Sequence, residues 1–373
     1  MMKIGFDGKR VTQNFSGLGN YSRYVLQVLA EYHPENQYQV FAPKESGASE
    51  RLQKFSSIEF IYPENQFSKS YWRSFGIVNK LNNEEIELYH GLSNEIPFGL
   101  RKAGIPAVVS IHDLIFYRYP QYYPWFDRKI YEYKIRYAAD HAAKIIAISE
   151  TTKADLINLF NIDKMRIEVI YQNCDPTFRN KITATEKQRI RTVFNLPGKY
   201  LLNVGTIETR KNSLLAVQAM KELNSDIHLV IIGKDTPYTE KVKDYVKKNN
   251  LEKRVHFLKN VSFNDLPGIY QMAEMFLFPS EYEGFGIPVI EALSSGIPVI
   301  AATGSCLEEA GGVGSIYIHP KDSTALSAQI LGVLNDQEKK QNMIKAGFAH
   351  LEQFSDRKIA DQLIKLYQNI IKC

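Results

Sequence analysis

The fold is decided by the stretch Phe276-Leu-Phe-Pro-Ser-Glu-Tyr-Glu-Gly-Phe-Gly-Ile-Pro-Val-Ile-Glu-Ala-Leu-Ser-Ser-Gly-Ile-Pro-Val-Ile300. It opens with a short apolar run closed by Pro279, which is typical of a strand covered on both faces of a parallel sheet. Pro288 suits the start of a helix, where its missing N–H costs nothing, and Gly296 suits the end of that helix. The stretch therefore predicts a buried strand, a glycine turn, a helix and a second buried strand.

Two carboxylates flank the predicted turn, because Glu283 and Glu291 lie on either side of Gly284-Phe285-Gly286. The two glycines permit unusual dihedral angles, and the free N–H groups of the helix start favour an anion. A phosphate is repelled by two carboxylates, whereas sugar hydroxyls can donate hydrogen bonds to both. The pattern therefore predicts a ligand with phosphate in its middle and a sugar at each end.

The spacing Glu283-x7-Glu291 around Gly-Phe-Gly-Ile-Pro resembles the donor-site motif of the retaining glycosyltransferases of family 4. These enzymes have the GT-B fold, an α/β architecture in which two Rossmann-like domains face each other across a cleft. The resemblance implies that Glu291 binds the ribose of a nucleotide sugar and that Glu283 binds the transferred sugar. It further implies donor contacts from the backbone of Gly284, Phe285, Gly286 and Ile287. The alternative is a plain strand–turn–helix packing unit whose glutamates are solvated.

Length and composition favour a two-domain α/β protein. The chain has 373 residues, of which 44% are hydrophobic and 23% charged, and its net charge is +5. A chain of this length exceeds one ordinary core, and so mild a charge does not indicate nucleic acid. The sequence has no membrane-spanning run, no secretory signal at its start and three scattered cysteines. These features together predict a cytoplasmic protein.

Strand and helix patterns place the predicted domain boundaries. We expect an N-terminal Rossmann-like acceptor domain over residues 1–178 and a C-terminal donor domain over residues 192–354. The polar stretch 179–191 is the predicted linker. The amphipathic helix at 355–373 is expected to cross back to the first domain, as the resemblance implies.

A glycine pair follows the first predicted strand. Gly17 and Gly19 lie in a polar segment, Gly8 to Gly19, which we predict to be a loop before a helix that begins near Asn20. Such a loop can present backbone N–H groups to a phosphate, and the resemblance implies that it faces the donor diphosphate. On spacing alone, a surface loop is an equal alternative.

His112 and Asp113 end the predicted strand 107–111, and ligands of open α/β sheets gather at the carboxyl ends of strands. A histidine at this place often only satisfies a turn. The resemblance implies instead that His112 contacts the donor sugar.

A second signal of phosphate binding follows the strand Tyr200–Val204. Gly205 opens a turn that leads to Arg210 and Lys211 at a helix start, where cations oppose the helix dipole unless an anion is present. Arginine offers fork geometry and lysine a point charge. The run Gly205-Thr-Ile-Glu-Thr-Arg-Lys-Asn resembles the diphosphate-binding turn of the family.

The resemblance also implies that the backbone from Lys259 to Val261 lies against the nucleotide base. The family commonly has a small residue, usually glycine, where Lys259 stands, which leaves the base open.

Aromatic and basic residues are interleaved over residues 116–137. Three interpretations compete: an amphipathic helix that packs its tyrosines on the core, a membrane-surface patch, and an aromatic platform for an acceptor sugar. RNA binding lacks a supporting recognition module.

The sequence therefore predicts a retaining hexosyltransferase that uses no metal and no cofactor, since no Asp-x-Asp motif is present. Resemblance to the mannosyltransferases of the family makes GDP-mannose the first expected donor and UDP-sugars the next. The expected acceptor is a surface glycan or a lipid-linked oligosaccharide, at the inner face of the membrane. Sugar phosphorylase, nucleotide-sugar epimerase and non-catalytic nucleotide-sugar binding are the alternative functions.

Overall fold

The computed structural model describes residues 1–14, 17–63 and 71–372. It divides into unit 1, which comprises Met1–Asn173 and Phe354–Cys373, and unit 2, which comprises Cys174–Gln353. Each unit contains one parallel β-sheet with helices, so the prediction of two Rossmann-like domains is confirmed.

The sheet of unit 1 has seven parallel strands in the order β3-β2-β1-β4-β5-β6-β7. Their bounds are β1 Lys3–Asp7, β2 Gln37–Phe41, β3 Ile58–Ile61, β4 Leu88–Gly91, β5 Ala107–Ile111, β6 Lys144–Ala147 and β7 Ile167–Val169. Every residue of β4 and β5 is buried, because these central strands are covered on both faces.

The helices of unit 1 are Lys9–Gln13, Gly17–Tyr32, Ile77–Asn83, Ile115–Arg118, Trp125–His141, Glu150–Phe160 and the C-terminal helix Asp356–Ile371. Short 3₁₀ or π turns cover Gly47–Leu52, Trp72–Gly76, Pro120–Tyr122 and Lys164–Arg166. The C-terminal helix packs on Gly17–Tyr32, where Tyr24 Oη donates to Asp356 Oδ1 at 2.9 Å. No helix in the described ranges combines the length and apolar character needed to cross a membrane.

The sheet of unit 2 has six parallel strands in the order β10-β9-β8-β11-β12-β13. Their bounds are β8 Tyr200–Val204, β9 His228–Ile232, β10 Val255–Leu258, β11 Met275–Phe278, β12 Val299–Ala302 and β13 Ile316–Ile318. The predicted strand–turn–helix–strand over residues 276–300 is present as β11, the helix Ile287–Ser294 and β12, and both strands are fully buried.

The helices of unit 2 are Ala184–Val193, Ser213–Ala219, Pro237–Lys248, Leu266–Gln271, Ile287–Ser294, Leu307–Gly311, Ser323–Leu334 and Gln337–Leu351. Its 3₁₀ turns are Pro176–Arg179, Thr209–Lys211, Met220–Glu222 and Glu352–Phe354. Phe354, the last residue of the fourth turn, is the first residue of the C-terminal segment that belongs to unit 1.

Two local predictions are wrong. The segment Gly8 to Gly19 is not one loop, since it contains the helix Lys9–Gln13 and the next helix begins at Gly17 instead of near Asn20. The stretch 179–191 contains most of the helix Ala184–Val193, which Thr183 caps by accepting a hydrogen bond from Glu186 N. Ile190 is buried there against Gly268, and Arg189 pairs with Asp265, so one apolar contact and one ion pair dock a mainly polar helix.

Candidate functional site

The turns that follow the strands of unit 2 meet at one edge of the sheet. Gly205 follows β8, Gly233 follows β9, and Pro279 follows β11, and carboxyl ends of parallel strands lie side by side. The first two turns are in contact, because a Cβ atom placed on Gly233 would lie 1.8 Å from the carbonyl oxygen of Gly205. Gly205 itself has φ +149°, which disfavours any side chain there. Close backbone approach therefore fixes where the turn after β8 begins.

Two of the predicted site residues, Arg210 and Lys211, meet at the carboxylate of a third, Glu283. Glu283 Oε1 lies 2.6 Å from Lys211 Nζ and 3.1 Å from Arg210 Nη1, and it accepts a hydrogen bond from Ser280 Oγ at 2.5 Å. Glu283 is only 8% exposed. Burial would raise the pKa of Glu283, but the charges of Lys211 and Arg210 hold it below the usual value. The structure therefore places two cations and one ionised carboxylate within a few ångströms of each other.

Backbone contacts position the two cations. Asn212 adopts the left-handed conformation with φ +55°, and its Nδ2 donates to the carbonyl oxygens of Pro279 at 3.1 Å and Pro320 at 2.6 Å. The carbonyl oxygen of Arg210 accepts from Glu281 N at 2.8 Å, which ties the turn to the segment that carries Glu283. Lys211 is held with its ammonium group 5.2 Å from the centre of the Phe278 ring. The cations are thus fixed in place before any ligand binds.

The glycine turn delivers the backbone to the start of the helix Ile287–Ser294. Gly286 has φ +109°, and a Cβ atom on it would lie 2.8 Å from Leu307 Cδ2, so no other residue fits without strain. No side chain caps this helix. Gly284 and Ile287 are half-buried whereas Phe285 is buried, and Cys306 Sγ donates to the carbonyl oxygen of Glu283 at 3.1 Å. The turn that follows Glu283 is therefore rigidly packed beside the cation cluster.

Glu291 has different surroundings from Glu283. Its Oε2 accepts a hydrogen bond from Tyr270 Oη at 2.9 Å. Burial raises the pKa of Glu291 to about 7, in spite of this hydrogen bond. The two glutamates of the motif thus differ near neutral pH, because Glu283 is ionised while Glu291 is divided between its two protonation states.

Lys259 and Val261 follow β10, the edge strand of the same sheet. Lys259 is exposed, and its Nζ lies 2.5 Å from Asp235 Oδ2 in the segment that follows β9. Val261 is half-buried. The described contacts do not join these two residues to the Glu283 cluster, although they lie at the same edge of the sheet.

In unit 1, His112 directly follows the buried strand β5 and is 5% exposed. Its Nε2 lies 2.8 Å from the carbonyl oxygen of Leu92, which can only accept, so Nε2 carries the proton. Burial, helped by the nearby charge of Arg10, lowers the pKa of His112 to about 4, although the hydrogen bond to Leu92 acts in the opposite direction. His112 is therefore a neutral imidazole whose Nδ1 is a hydrogen-bond acceptor.

Gly17 and Gly19 lie in the first turn of the helix Gly17–Tyr32, while the preceding Ser16 lies outside the described residues. A Cβ atom on Gly19 would lie 1.9 Å from the carbonyl oxygen of Asn14, whereas one on Gly17 would meet none of the described residues within 4 Å. Gly19 is thus required for close packing of its helix on the segment before it.

The stretch 116–137 contains most of the helix Trp125–His141, which buries only Ile135, Ala138 and Ala139. Tyr123 and Tyr137 pack against the core, whereas Tyr131 and Tyr133 are exposed, so the interpretation of core packing holds for some of the tyrosines and not for others. Its exposed side chains include Trp125, Phe126, Ile130, Tyr131 and Tyr133. We call these five residues the aromatic surface. Trp125 is 57% and Phe126 is 74% exposed, which is unusual for side chains of this size.

Sequence reasoning missed four contacts of the site. Ser280 and Asn212 support the cluster, Tyr270 binds Glu291, and Arg10 acts on His112. The first two lie inside or beside the quoted motifs and had a local signal. Tyr270 and Arg10 are brought to their partners by the fold alone, so nothing in the local sequence indicates them.

Two family models match the chain. Residues 15–178 match "Glycosyltransferase Family 4" and residues 184–350 match "Glycosyl transferases group 1". The chain is 29% identical to O-antigen chain mannosyltransferase B of Escherichia coli, over 75% of this chain and 74% of that protein. It is 28% identical to O-antigen chain mannosyltransferase RfbU of Salmonella typhimurium, over 71% and 69% of the two chains.

A solved structure with the same fold is HepE of Anabaena in complex with UDP-glucose. It superposes with a TM-score of 0.79 at 17% identity and covers 99% of this chain and 100% of that one. The matched families and this fold agree with the two parallel sheets and the C-terminal helix. The chain therefore belongs to the family 4 glycosyltransferases of the GT-B fold.

Proposed function

We propose that this glycosyltransferase moves a mannosyl residue from GDP-mannose to a glycan or lipid-linked oligosaccharide during surface polysaccharide synthesis. The observation that carries the proposal is the cluster of Lys211, Arg210 and Glu283 beside the uncapped helix Ile287–Ser294. The names of the two O-antigen mannosyltransferases support mannose as the sugar, and the complex of HepE supports a nucleotide sugar as the donor.

Each charged group of unit 2 has a proposed role in holding the donor. Lys211 and Arg210 bind the diphosphate and stabilise the negative charge that grows on it as the glycosidic bond breaks. Glu283 accepts hydrogen bonds from hydroxyls of the transferred sugar, and Glu291 accepts them from the ribose. The turn that begins at Gly205 approaches the diphosphate, and the segment Lys259 to Val261 approaches the base.

Retention of configuration is proposed to follow a front-face mechanism. A double displacement needs a carboxylate nucleophile at the anomeric carbon, but Glu283 is held by Lys211, Arg210 and Ser280. In the proposed step the bond from C1 to the phosphate oxygen breaks and a bond from C1 to the acceptor oxygen forms on the same face. The proton of the acceptor hydroxyl passes to the departing diphosphate. His112 accepts a hydrogen bond at Nδ1 from a hydroxyl of the transferred sugar.

The proposal is tested by thermal-shift screening of GDP-, UDP- and ADP-sugars, followed by assays of donor hydrolysis and transfer. We expect the largest shift with GDP-mannose and slow hydrolysis of the donor in the absence of acceptor. Release of sugar phosphate would instead indicate a phosphorylase, and isomerised donor an epimerase. Tight binding without hydrolysis or transfer would indicate a non-catalytic binding protein.

Donor affinity should depend on pH through Glu291. Its pKa of about 7 means that the carboxylate, which accepts from the ribose hydroxyls, becomes the major form only above neutral pH. We therefore expect the Kd for GDP-mannose to fall as the pH rises through that value, and Glu291→Gln to abolish this dependence. Titration calorimetry at several pH values measures both.

Tyr270→Phe is the matched variant for that titration. Its hydroxyl stabilises the ionised form of Glu291, so its removal should move the inflection to higher pH without abolishing it. An unchanged inflection in both variants would contradict the assignment of Glu291 to the ribose.

Transfer is proposed to need no divalent metal, because Lys211 and Arg210 supply positive charge at the diphosphate. We expect the rate to be unchanged after treatment with EDTA and dialysis. Loss of activity that Mg²⁺ or Mn²⁺ restores would contradict this proposal and would place a metal ion on the diphosphate.

Peripheral contact with an anionic membrane is proposed for the aromatic surface, since a lipid-linked acceptor lies at the inner face of the membrane. Exposed aromatic side chains with Lys129 and Arg136 on the same helix suit the interface of anionic lipids. Trp125→Ala with Phe126→Ala should lower sedimentation with phosphatidylglycerol vesicles several-fold. Met165→Ala, which removes another exposed apolar side chain of unit 1, is the control. Equal sedimentation of all three proteins would contradict the proposal.

A further inference from the structure

Four buried side chains form a continuous hydrogen-bonded chain through unit 1. Tyr367 Oη of the C-terminal helix lies 2.7 Å from His90 Nδ1, and His90 Nε2 lies 2.8 Å from Ser110 Oγ. Ser110 Oγ lies 2.7 Å from Tyr21 Oη on the helix Gly17–Tyr32. We call these residues the polar chain. Three of them are 0% exposed and Tyr21 is 2% exposed, so the polar chain is shielded from solvent.

The polar chain ends against His112. The Tyr21 ring meets the His112 ring edge to face, with centroids 4.6 Å apart and planes at 86°. Ser110 lies on β5, two residues before His112. The other sides of His112 are held by Asn94 Oδ1, which accepts from His112 N at 2.8 Å, and by the carbonyl oxygen of Leu92. The bond to Asn94 holds the backbone of His112, whereas the orientation of its ring is set by the hydrogen bond from Nε2 to Leu92 and by the ring of Tyr21.

The polar chain carries no charge, and its members depend on each other. Burial lowers the pKa of His90 to about 3, so its imidazole is neutral and only one ring nitrogen carries a proton. Either Tyr367 donates to His90 and His90 donates to Ser110, or both bonds run in the opposite direction. Removal of one hydroxyl therefore leaves a buried group unpaired and changes the hydrogen bonding of the next.

We propose that the polar chain is a positioning device for His112, through which Tyr367 of the C-terminal helix orients the imidazole that contacts the transferred sugar. The bond between Ser110 and Tyr21 fixes the ring of Tyr21, and that ring fixes the plane of His112. The inference rests on the proposed role of His112 and extends the reacting centre to a helix at the far end of the chain. Tyr367, His90, Ser110 and Tyr21 are positioning residues, since none of them is proposed to touch the substrate.

Tyr367→Phe tests the proposal, because it removes one hydroxyl and keeps the ring. We expect kcat to fall about tenfold, which corresponds to about 1.4 kcal/mol, with little change in KM for the donor. Tyr21→Phe should have a similar effect. The double variant should lose no more than the larger single effect, since both substitutions disable the same chain.

Tyr38→Phe is the matched control. Tyr38 is also 0% exposed, and its hydroxyl donates to the carbonyl oxygen of His33 at 2.7 Å, outside the polar chain. The variant Tyr38→Phe should lose thermal stability to a similar extent as Tyr367→Phe, but its kcat should stay unchanged. The ring-nitrogen NMR signals of His112 should move in Tyr367→Phe and Tyr21→Phe but stay in place in Tyr38→Phe.

The NMR signals also separate this inference from the proposed function, because they are measured without donor or acceptor. Unchanged His112 signals and an unchanged kcat in Tyr367→Phe would overturn the inference, even if His112→Ala abolished transfer. Should Tyr367→Phe fail to fold, Ser110→Ala breaks the chain at its centre with a smaller loss of volume. Shifted His112 signals in that variant support the inference, and unchanged signals overturn it.

Discussion

Replacing Lys211 by methionine is expected to lower kcat about 10²- to 10³-fold, as loss of one preorganised charge at a reacting oxyanion does in other enzymes. Methionine keeps an apolar stem against Phe278 and removes only the ammonium group that lies 2.6 Å from Glu283. On the proposed assignment, Arg210 is then left to stabilise the charge of the departing diphosphate. Steady-state kinetics with GDP-mannose and acceptor measures the loss.

Lys253→Met is the control for that substitution, because Lys253 is an exposed lysine of the same unit. We expect it to leave kcat unchanged. If Lys211→Met turned over at the rate of the control, Lys211 would have no part in the stabilisation of the leaving group. The structural role of Lys211 beside Glu283 would then be the better explanation of the ion pair.

Glu283→Gln is expected to change binding and catalysis in opposite directions. The substitution removes the negative charge that Lys211 and Arg210 share, while Arg210 keeps its ion pair with Glu208, so the ammonium group of Lys211 becomes more available to phosphate and GDP should bind several-fold more tightly. Transfer should nevertheless fall about 10²-fold or more, because glutamine no longer orients the hydroxyls of the sugar as a carboxylate does. Calorimetry with GDP and kinetics with GDP-mannose measure the two effects.

Glu240→Gln, on an exposed carboxylate paired with Lys243, serves as the control and should change neither quantity. Weaker binding of GDP to Glu283→Gln would mean that the carboxylate holds the two cations in their binding geometry, and the charge argument would fail. A sugar covalently attached to the enzyme in Glu283→Gln would contradict the front-face mechanism.

The sequence was sufficient to predict the fold and to single out Arg210, Lys211 and Glu283, because both follow from local patterns. Buried strands are short apolar runs, and the glycines at 205 and 286, which have positive φ, mark the turns after them. Arg210, Lys211 and Glu283 stand at strand ends of one parallel sheet, so the topology brings them together.

The predictions for Gly8 to Gly19 and for the linker 179–191 were wrong because tertiary contacts decide the structure of these segments. The helix Lys9–Gln13 has no side-chain cap that would mark its start, and it lies within a segment that reads as polar loop. The helix Ala184–Val193 is docked through the buried Ile190 and the ion pair of Arg189 with Asp265, and these contacts give no periodic signal. The raised pKa of Glu291 depends on burial beside Tyr270, which lies 21 positions earlier in the chain. Packing between distant segments cannot be deduced from spacing.

The close approach of Gly233 to the carbonyl oxygen of Gly205 also restricts how the enzyme can diverge. Any side chain at position 233 would displace the neighbouring turn and with it the segment that carries both cations. Attempts to alter donor preference by randomising the positions near the base must therefore leave Gly233 untouched. A glycine outside every recognised motif thus limits the variation open to natural selection and to protein engineers.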